Sequence, residues 1–274
     1  MTSIVQHELY FNIYDNNHTA TVTRCPECGT KVTIPSTITY NSSSYPVVSI
    51  EPDAFRYNRQ IDELSFPQDT KMRRIEAGAF AFSSIRKINI PASLERIDPG
   101  ALNGANNLTE ISVDPFNSKF IFINNQYLMK RVKKDGEFLN CLIFARPDIE
   151  VAVIPADCIR IGEMAFAFSQ NLQTITFEPH SILRSIEKDA FFQSTIRSIS
   201  FPSKLDNLED GWCHQTPLLR NIEVAKSNRH VKYFNDQLLI QHSREDNKYI
   251  LLFARRDIKE VIIPFNIILI DQYA

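Results

Sequence analysis

Apolar and polar residues recur along this chain in one fixed frame. The frame is complete at Ile75-Glu-Ala-Gly-Ala79-Phe80, resuming at Ile85-Arg-Lys-Ile88-Asn-Ile90-Pro91. It is written again at Ile186-Glu-Lys-Asp-Ala190-Phe191 and Ile196-Arg-Ser-Ile199-Ser-Phe201-Pro202. Six copies begin at Ile50, Ile75, Ile97, Ile161, Ile186 and Leu208. Successive starts lie 25, 22, 64, 25 and 22 residues apart, with a last step of 62 residues to Ile270. Three copies and a long insertion therefore make a block that occurs twice. A unit of this length recurring along a chain is the signature of a stacked repeat.

Each position in the frame predicts a role. Three residues before each start stands Val47, Met72, Leu94, Cys158, Leu183 or Leu205; five after it comes Phe55, Phe80, Leu102, Phe166, Phe191 or Cys213. An alternating segment follows: Leu64-Ser-Phe66, Ile88-Asn-Ile90, Ile111-Ser-Val113, Ile175-Thr-Phe177, Ile199-Ser-Phe201 and Ile222-Glu-Val224. Period-two alternation with β-branched residues predicts a half-buried strand. The small Ala54, Ala79, Ala165 and Ala190 before the aromatic predict a spot too tight for a larger side chain. No copy can bury its own apolar row. Stacking removes it from water, at roughly 1.5–3 kcal/mol for each fully covered Ile, Leu or Phe.

Residues 1–46 lie outside the repeat. Leu9-Tyr-Phe-Asn-Ile13, Thr19-Ala-Thr-Val-Thr23 and Lys31-Val-Thr-Ile34 alternate like strands, with Asp15-Asn-Asn17 as a turn. An open apolar end and an unpaired strand edge invite aggregation, so this region reads as an N-terminal β-cap. Residues 47–274 read as the repeat stack, with insertions at about 114–152 and 225–261. The insertions match each other: Asn117-Ser-Lys-Phe, Asn124-Asn-Gln126 and Leu142-Ile-Phe144-Ala145-Arg146 reappear as Asn228-Arg-His-Val, Asn235-Asp-Gln237 and Leu251-Leu-Phe253-Ala254-Arg255. With turns at Asp135-Gly136 and Asp246-Asn247, both are expected to be β-hairpins standing off the coil, rejoining it at Val153-Ile-Pro155 and Ile262-Ile-Pro264. The chain stops at Ile270-Asp-Gln-Tyr-Ala274, one residue short of a seventh core aromatic, which reads as truncation within a repeat.

Composition narrows the function. In 274 residues, 43% are hydrophobic and the net charge is −2, which fits a core-forming chain with no polyanion partner. Lys and Arg are scattered, so nucleic-acid binding is not expected. Only 7 glycines occur, and none falls in a phosphate-cradling motif. The N-terminus has no basic and apolar signal-peptide pattern, and no apolar run is long enough to cross a membrane as a helix.

Cys25-Pro-Glu-Cys28-Gly29 could be half of a zinc site, a redox pair, or a tight turn with free thiols; His7 and His18 are the available extra ligands. The other cysteines form no second knuckle, and the free-thiol turn is the preferred reading. Cys141, Cys158 and Cys213 stand at core positions and read as inert. No metal or cofactor is expected. Trp212, the one tryptophan, takes the place of the small Ala; it reads as core filling in preference to a binding anchor.

The Ile-x-x-x-Ala-Phe signature with its following Ile-x-x-Ile-x-Ile-Pro resembles the BspA-like leucine-rich repeats, a family of bacterial and protist surface antigens with many trichomonad members. The likeness covers residues 47–274. It lacks the Asn ladder of better-known leucine-rich repeats: Asp69, Ser93, Phe116, His180, Lys204 and Ser227 stand there instead. The resemblance implies an α/β repeat, a right-handed leucine-rich-repeat solenoid that is β-rich with short helical turns. It further implies display at the cell surface and binding to host-surface or extracellular-matrix proteins.

No convergent set of catalytic groups appears, so no enzyme is expected. The candidate protein-binding face is the outward side of the strands, read as one continuous ladder. Glu63, Lys87, Glu110, Thr174, Ser198 and Asn221 form one column; Ser65, Asn89, Ser112, Thr176, Ser200 and Glu223 form the next. Insertion aromatics Phe120, Phe122, Tyr127 and Tyr233 are a second candidate surface. The alternative is an intracellular, cytoplasmic scaffold or adaptor, in keeping with three unpaired core thiols.

Overall fold

The computed structural model describes residues 2–134, 136–242, 248–256 and 258–271. Its chain forms two compact units, Met1–Arg131 and Val132–Ala274.

In the first unit, Thr2–Gln6, Leu9–Tyr14 and Thr19–Arg24 form an antiparallel meander. The last of these pairs parallel with Ser43–Ile50, followed by the two-residue strands Arg74–Ile75 and Arg96–Ile97, each in register at the copy start. A second parallel sheet holds Lys31–Thr33, Glu63–Ser65, Lys87–Ile90 and Glu110–Val113. Each coil thus runs from a start strand through a turn to a ladder strand. The segment Lys31–Thr33, read above as part of a cap, lies in the ladder sheet with the repeats.

The second unit repeats this plan. Its start sheet holds Glu137–Ala145, Cys158–Ile161, Ser185–Ile186 and Asn207–Leu208. Its ladder sheet holds Val151–Ile154, Thr174–Phe177, Ser198–Phe201 and Asn221–Val224. A further sheet runs Val231–Phe234, Leu238–His242, Tyr249–Ala254, Ile267–Ile270, the final pair parallel.

The expected α/β repeat with short helical turns is corrected: this is an all-β solenoid, and no helix occurs among the described residues. The reason lies in the turn. In every copy the third and seventh residues after the start adopt left-handed φ: Asp53 and Tyr57, Gly78 and Phe82, Gly100 and Gly104, Met164 and Phe168, Asp189 and Gln193, Gly211 and Gln215. A left-handed residue every fourth position breaks any run of right-handed helix. What remains is a string of β-turns, as in Ala54 N→Glu51 O (3.3 Å) and Arg56 N→Asp53 O (3.0 Å). The alternate N–H groups reach the next coil: Phe55 N→Ala79 O at 2.7 Å and Tyr57 N→Ala81 O at 2.9 Å. A helix would have spent that Phe55 N–H on its own coil.

Between the sheets the apolar frame is buried as expected. All six residues three before a start, and all six residues five after one, are core. Phe55 stacks on Phe80 (centroids 5.0 Å) and Phe166 on Phe191 (5.4 Å). Ala54, Ala79, Ala101, Ala165 and Ala190 are buried, and Trp212 in the equivalent position is fully buried, which bears out its structural reading.

The insertions differ from the expectation. Phe120–Ile123 with Tyr127–Lys134, and Val231–Phe234 with Leu238–His242, are antiparallel hairpins. Their following strands do not stand off the coil. Leu142 pairs in register with Ile161, and Leu251 with Ile270, so each supplies a leading start strand. The return at Val153–Pro155 is made by the ladder strand Val151–Ile154, whereas Ile262–Pro264 lies outside any strand, with Ile262 88% exposed. Asp135 and the Asp246-Asn247 turn lie outside the described residues. Phe120 and Tyr127 are buried; Phe122 and Tyr233 are half-buried.

Candidate protein-binding face

Alternation along each ladder strand sends one residue inward and its neighbours out. Leu64, Ile88 and Ile111 are buried in the first unit; Ile175, Ile199 and Ile222 are buried in the second. The candidate residues between them are half-buried, or exposed at Glu110, Ser112, Asn221 and Glu223.

In the first unit the register aligns Lys31, Glu63, Lys87 and Glu110 in one column, and Thr33, Ser65, Asn89 and Ser112 in the next. The first column alternates in charge and neutralises itself. Lys87 Nζ lies 3.0 Å from Glu63 and Lys31 Nζ lies 3.6 Å from it, while Arg86 joins Asp62 (3.0 Å) and Glu110. The hydrogen-bonded Lys87 ammonium holds the Glu63 carboxyl below the ordinary carboxylate range. The second column is neutral, with Thr33 and Ser65 hydroxyls 2.9 Å apart and Asn89 Nδ2 donating to Ser112 Oγ at 3.2 Å. Sequence reasoning missed Lys31 and Thr33, although Lys31-Val-Thr alternates like the other ladder strands.

The second unit's ladder has a different character. Its columns are Val151, Thr174, Ser198, Asn221 and Val153, Thr176, Ser200, Glu223. Hydroxyls dominate, Ser200 Oγ donates to Glu223 Oε2 at 3.2 Å, and the leading edge is apolar, Val151 and Val153 being half exposed. Exposed valines beside a hydroxyl-rich strip suit a backbone or small side chain better than a charged one.

A third recurring feature was readable in the sequence but not singled out: the residue just after each start is acidic in five of the six copies. These carboxylates stitch coils. Asp98, 8% exposed, binds Arg74 Nη2 at 2.6 Å; Glu187 takes Arg160 Nη1 at 2.7 Å and the Glu163 N–H at 2.9 Å. Glu51 accepts from Asn12, Tyr14 and Thr21. Their bonding is structural.

The cysteines divide. Cys25 and Cys28 are joined by a disulfide, correcting the free-thiol turn, and the His18 ring lies against Tyr45 at 4.5 Å. Among the described residues no group of three or more His, Cys, Asp or Glu is placed to hold a metal. Cys141, Cys158 and Cys213 are buried and lie outside any disulfide among the described residues. Burial pushes the Cys158 and Cys213 thiols up to about 12. No helix among the described residues is long and apolar enough to cross a membrane.

The fold has relatives of known structure. A leucine-rich cell surface protein from Faecalibacterium prausnitzii shares 18% identity and aligns with a TM-score of 0.55 over 97% of this chain. The chain spans 65% of that protein's length. A leucine-rich repeat protein from Eubacterium ventriosum shares 16% identity, with a TM-score of 0.47 over 85% of this chain and 75% of that one. The likeness shown is to the repeat class at large, and the finer trichomonad-like grouping expected from the sequence does not follow from it. No curated protein matches the sequence. Residues 29–130 and 139–243 match the BspA type leucine-rich repeat region in six copies. Repeat frame, stacked coils and sequence match agree, and the chain belongs to the BspA-type leucine-rich repeat family.

Proposed function

We propose that the protein is a non-enzymatic protein-binding module, displayed at the cell surface as an antigen or adhesin that contacts host or matrix proteins. The reading rests on the outward columns of each ladder sheet. Parallel strands about 4.8 Å apart present rows of charged and amide side chains in the first unit and of mostly hydroxyl side chains in the second, a surface suited to an extended protein segment. The binding residues are Glu63, Ser65, Lys87, Asn89, Glu110 and Ser112 in the first unit. In the second they are Thr174, Thr176, Ser198, Ser200, Asn221 and Glu223. The family resemblance and the cell-surface relative support the location.

Three buried cysteines outside the disulfide favour a second reading, an intracellular scaffold using the same faces. Biotinylation of intact cells separates the two: labelling no higher than a cytosolic control removes the surface reading. A pull-down against matrix proteins, repeated with Thr176→Arg and Ser200→Arg together, tests the face. Retained capture by that variant would remove the second unit's ladder as the contact surface.

A further inference from the structure

We propose a second binding site, separate from the ladder faces: an arginine-rich hollow at the turn of the first coil that takes an acidic peptide segment. The hollow is open, about 430 Å³, and its walls include Arg24, Asp53, Arg56, Tyr57 and Arg59. Three arginines face one aspartate among its lining residues, and that aspartate already holds Arg56 at 3.0 Å. Arg59 is exposed and has no hydrogen-bond or ion-pair partner among the described residues. The excess is cationic and available.

The stack does not call for these arginines. At the position of Arg56 the other copies carry Ala81, Asn103, Ala167, Phe192 and His214; at that of Arg59 they carry Ser84, Asn106, Gln170, Thr195 and Pro217. Ala81 and Ala167 are buried there and Thr195 bonds to the preceding turn, so these positions serve the stack with small or neutral side chains and none of the other copies needs a cation. Of the six copies, the first alone carries a cation at both positions.

Aromatic rings set the arginines up for a ligand. The Arg56 guanidinium lies over Tyr57 (5.0 Å) and Phe82 (5.8 Å), themselves stacked at 5.3 Å, and Arg24 lies over Tyr10 at 4.2 Å. Stacking fixes a guanidinium's plane and leaves its N–H edge to donate to carboxylates. Arg56 already donates to Asp53 at 3.0 Å and to the Tyr57 hydroxyl at 3.5 Å, so a ligand carboxylate joins or displaces these contacts. Tyr57, 55% exposed, adds a flat apolar platform beside the charges. The Asn58 amide ties the floor together, donating to Cys25 O at 2.9 Å and receiving Gln60 N and Ile61 N on its oxygen. Planar donors around an exposed ring fit a peptide in which glutamates or aspartates flank an apolar residue.

The test is fluorescence anisotropy of the full chain with a labelled peptide of glutamates around a central phenylalanine, against its lysine counterpart. The native chain should bind the glutamate peptide alone, more weakly as salt rises. Arg59→Gln should weaken binding, and Arg56→Gln with Arg59→Gln should weaken it about five- to tenfold, as expected for two exposed charge contacts. Lys204→Gln with Arg229→Gln, exposed cations of the second unit, should leave it unchanged. Thermal melting confirms that each variant is folded, and Arg59→Gln, which breaks no contact, keeps the test independent of that. Equal affinity in the native and double-variant chains overturns the proposal. So does tighter binding of a heparin hexasaccharide at the same residues, which would assign the hollow to sulfated glycans.

Discussion

The Phe191 ring stands edge-on to Trp212, centroids 6.1 Å apart at 87°, both fully buried in consecutive coils of the second unit. Phe166 stacks on the other side of Phe191. Truncation in the middle of such a column leaves neighbours that cannot close in. Phe191→Ala is expected to lose about 3–5 kcal/mol in urea unfolding followed by Trp212 fluorescence. A loss below about 1 kcal/mol would remove it from the core.

Trp212 Nε1 is buried with no hydrogen-bond partner among the described residues. An unsatisfied donor is a standing cost, so Trp212→Phe should destabilise less than the lost ring area alone implies, by under about 2 kcal/mol. Calorimetric melting reads this directly; a loss matching Phe191→Ala would mean that the indole nitrogen is in fact satisfied.

Asn117 and Asn228 open the two insertions with the same four bonds. Asn117 Nδ2 donates to Pro91 O (2.7 Å) and Leu94 O (3.1 Å), while its Oδ1 accepts Lys119 N and Phe120 N, both at 2.8 Å. Asn228 does so with Pro202, Leu205, His230 and Val231. Asn117→Asp keeps the acceptor and loses both donors, leaving two carbonyls opposite a carboxylate; a loss of about 2–4 kcal/mol is expected. A melting temperature equal to the parent's would show that water replaces the amide.

Gly104 sits at φ +63°, and a Cβ there would run into the Phe82 ring. Gly104→Ala should cost about 1–3 kcal/mol. Adding Phe82→Ala removes the collision but not the φ penalty, so the double variant should be less destabilised than the two losses summed. Additive losses in chemical denaturation would place the strain in the backbone alone.

The thiols of Cys158 and Cys213, pushed up to about 12 from the ordinary 9.0, give an alkaline signature. A raised folded-state value means that their contribution is whole below pH 9 and is lost as pH rises through about 12, because the unfolded chain ionises first. Cys158→Leu with Cys213→Leu, the residues of sister copies, should flatten the fall in stability across that window. Iodoacetamide at pH 8 should leave both native thiols unmodified and label them in urea. Rapid native labelling would contradict their burial.

The repeat frame was open to reading from the chain alone, because a stack imposes the same burial on the same position in every coil. Val47 through Leu205, Phe55 through Cys213 and the alternating ladder strands all follow from that rule, and so do the outward positions named as a binding face. Spacing also showed that the two insertions match.

Tertiary structure decided the rest. Whether Ile75-Glu-Ala-Gly-Ala-Phe turns as a helix or as linked β-turns depends on where the Phe80 N–H finds its acceptor, and that is Ala101 O of the next coil, 2.8 Å away. Local propensity cannot see such a partner. The start strands are two residues long and exist only through parallel neighbours, so Arg74–Ile75 leaves no periodic trace. Lys31–Thr33 joins the ladder and Leu142 leads the second start sheet for the same reason: strand identity is a property of the pair. The arginine hollow, too, needed the coil to close before Arg24 and Arg59, 35 positions apart in sequence, could line one surface.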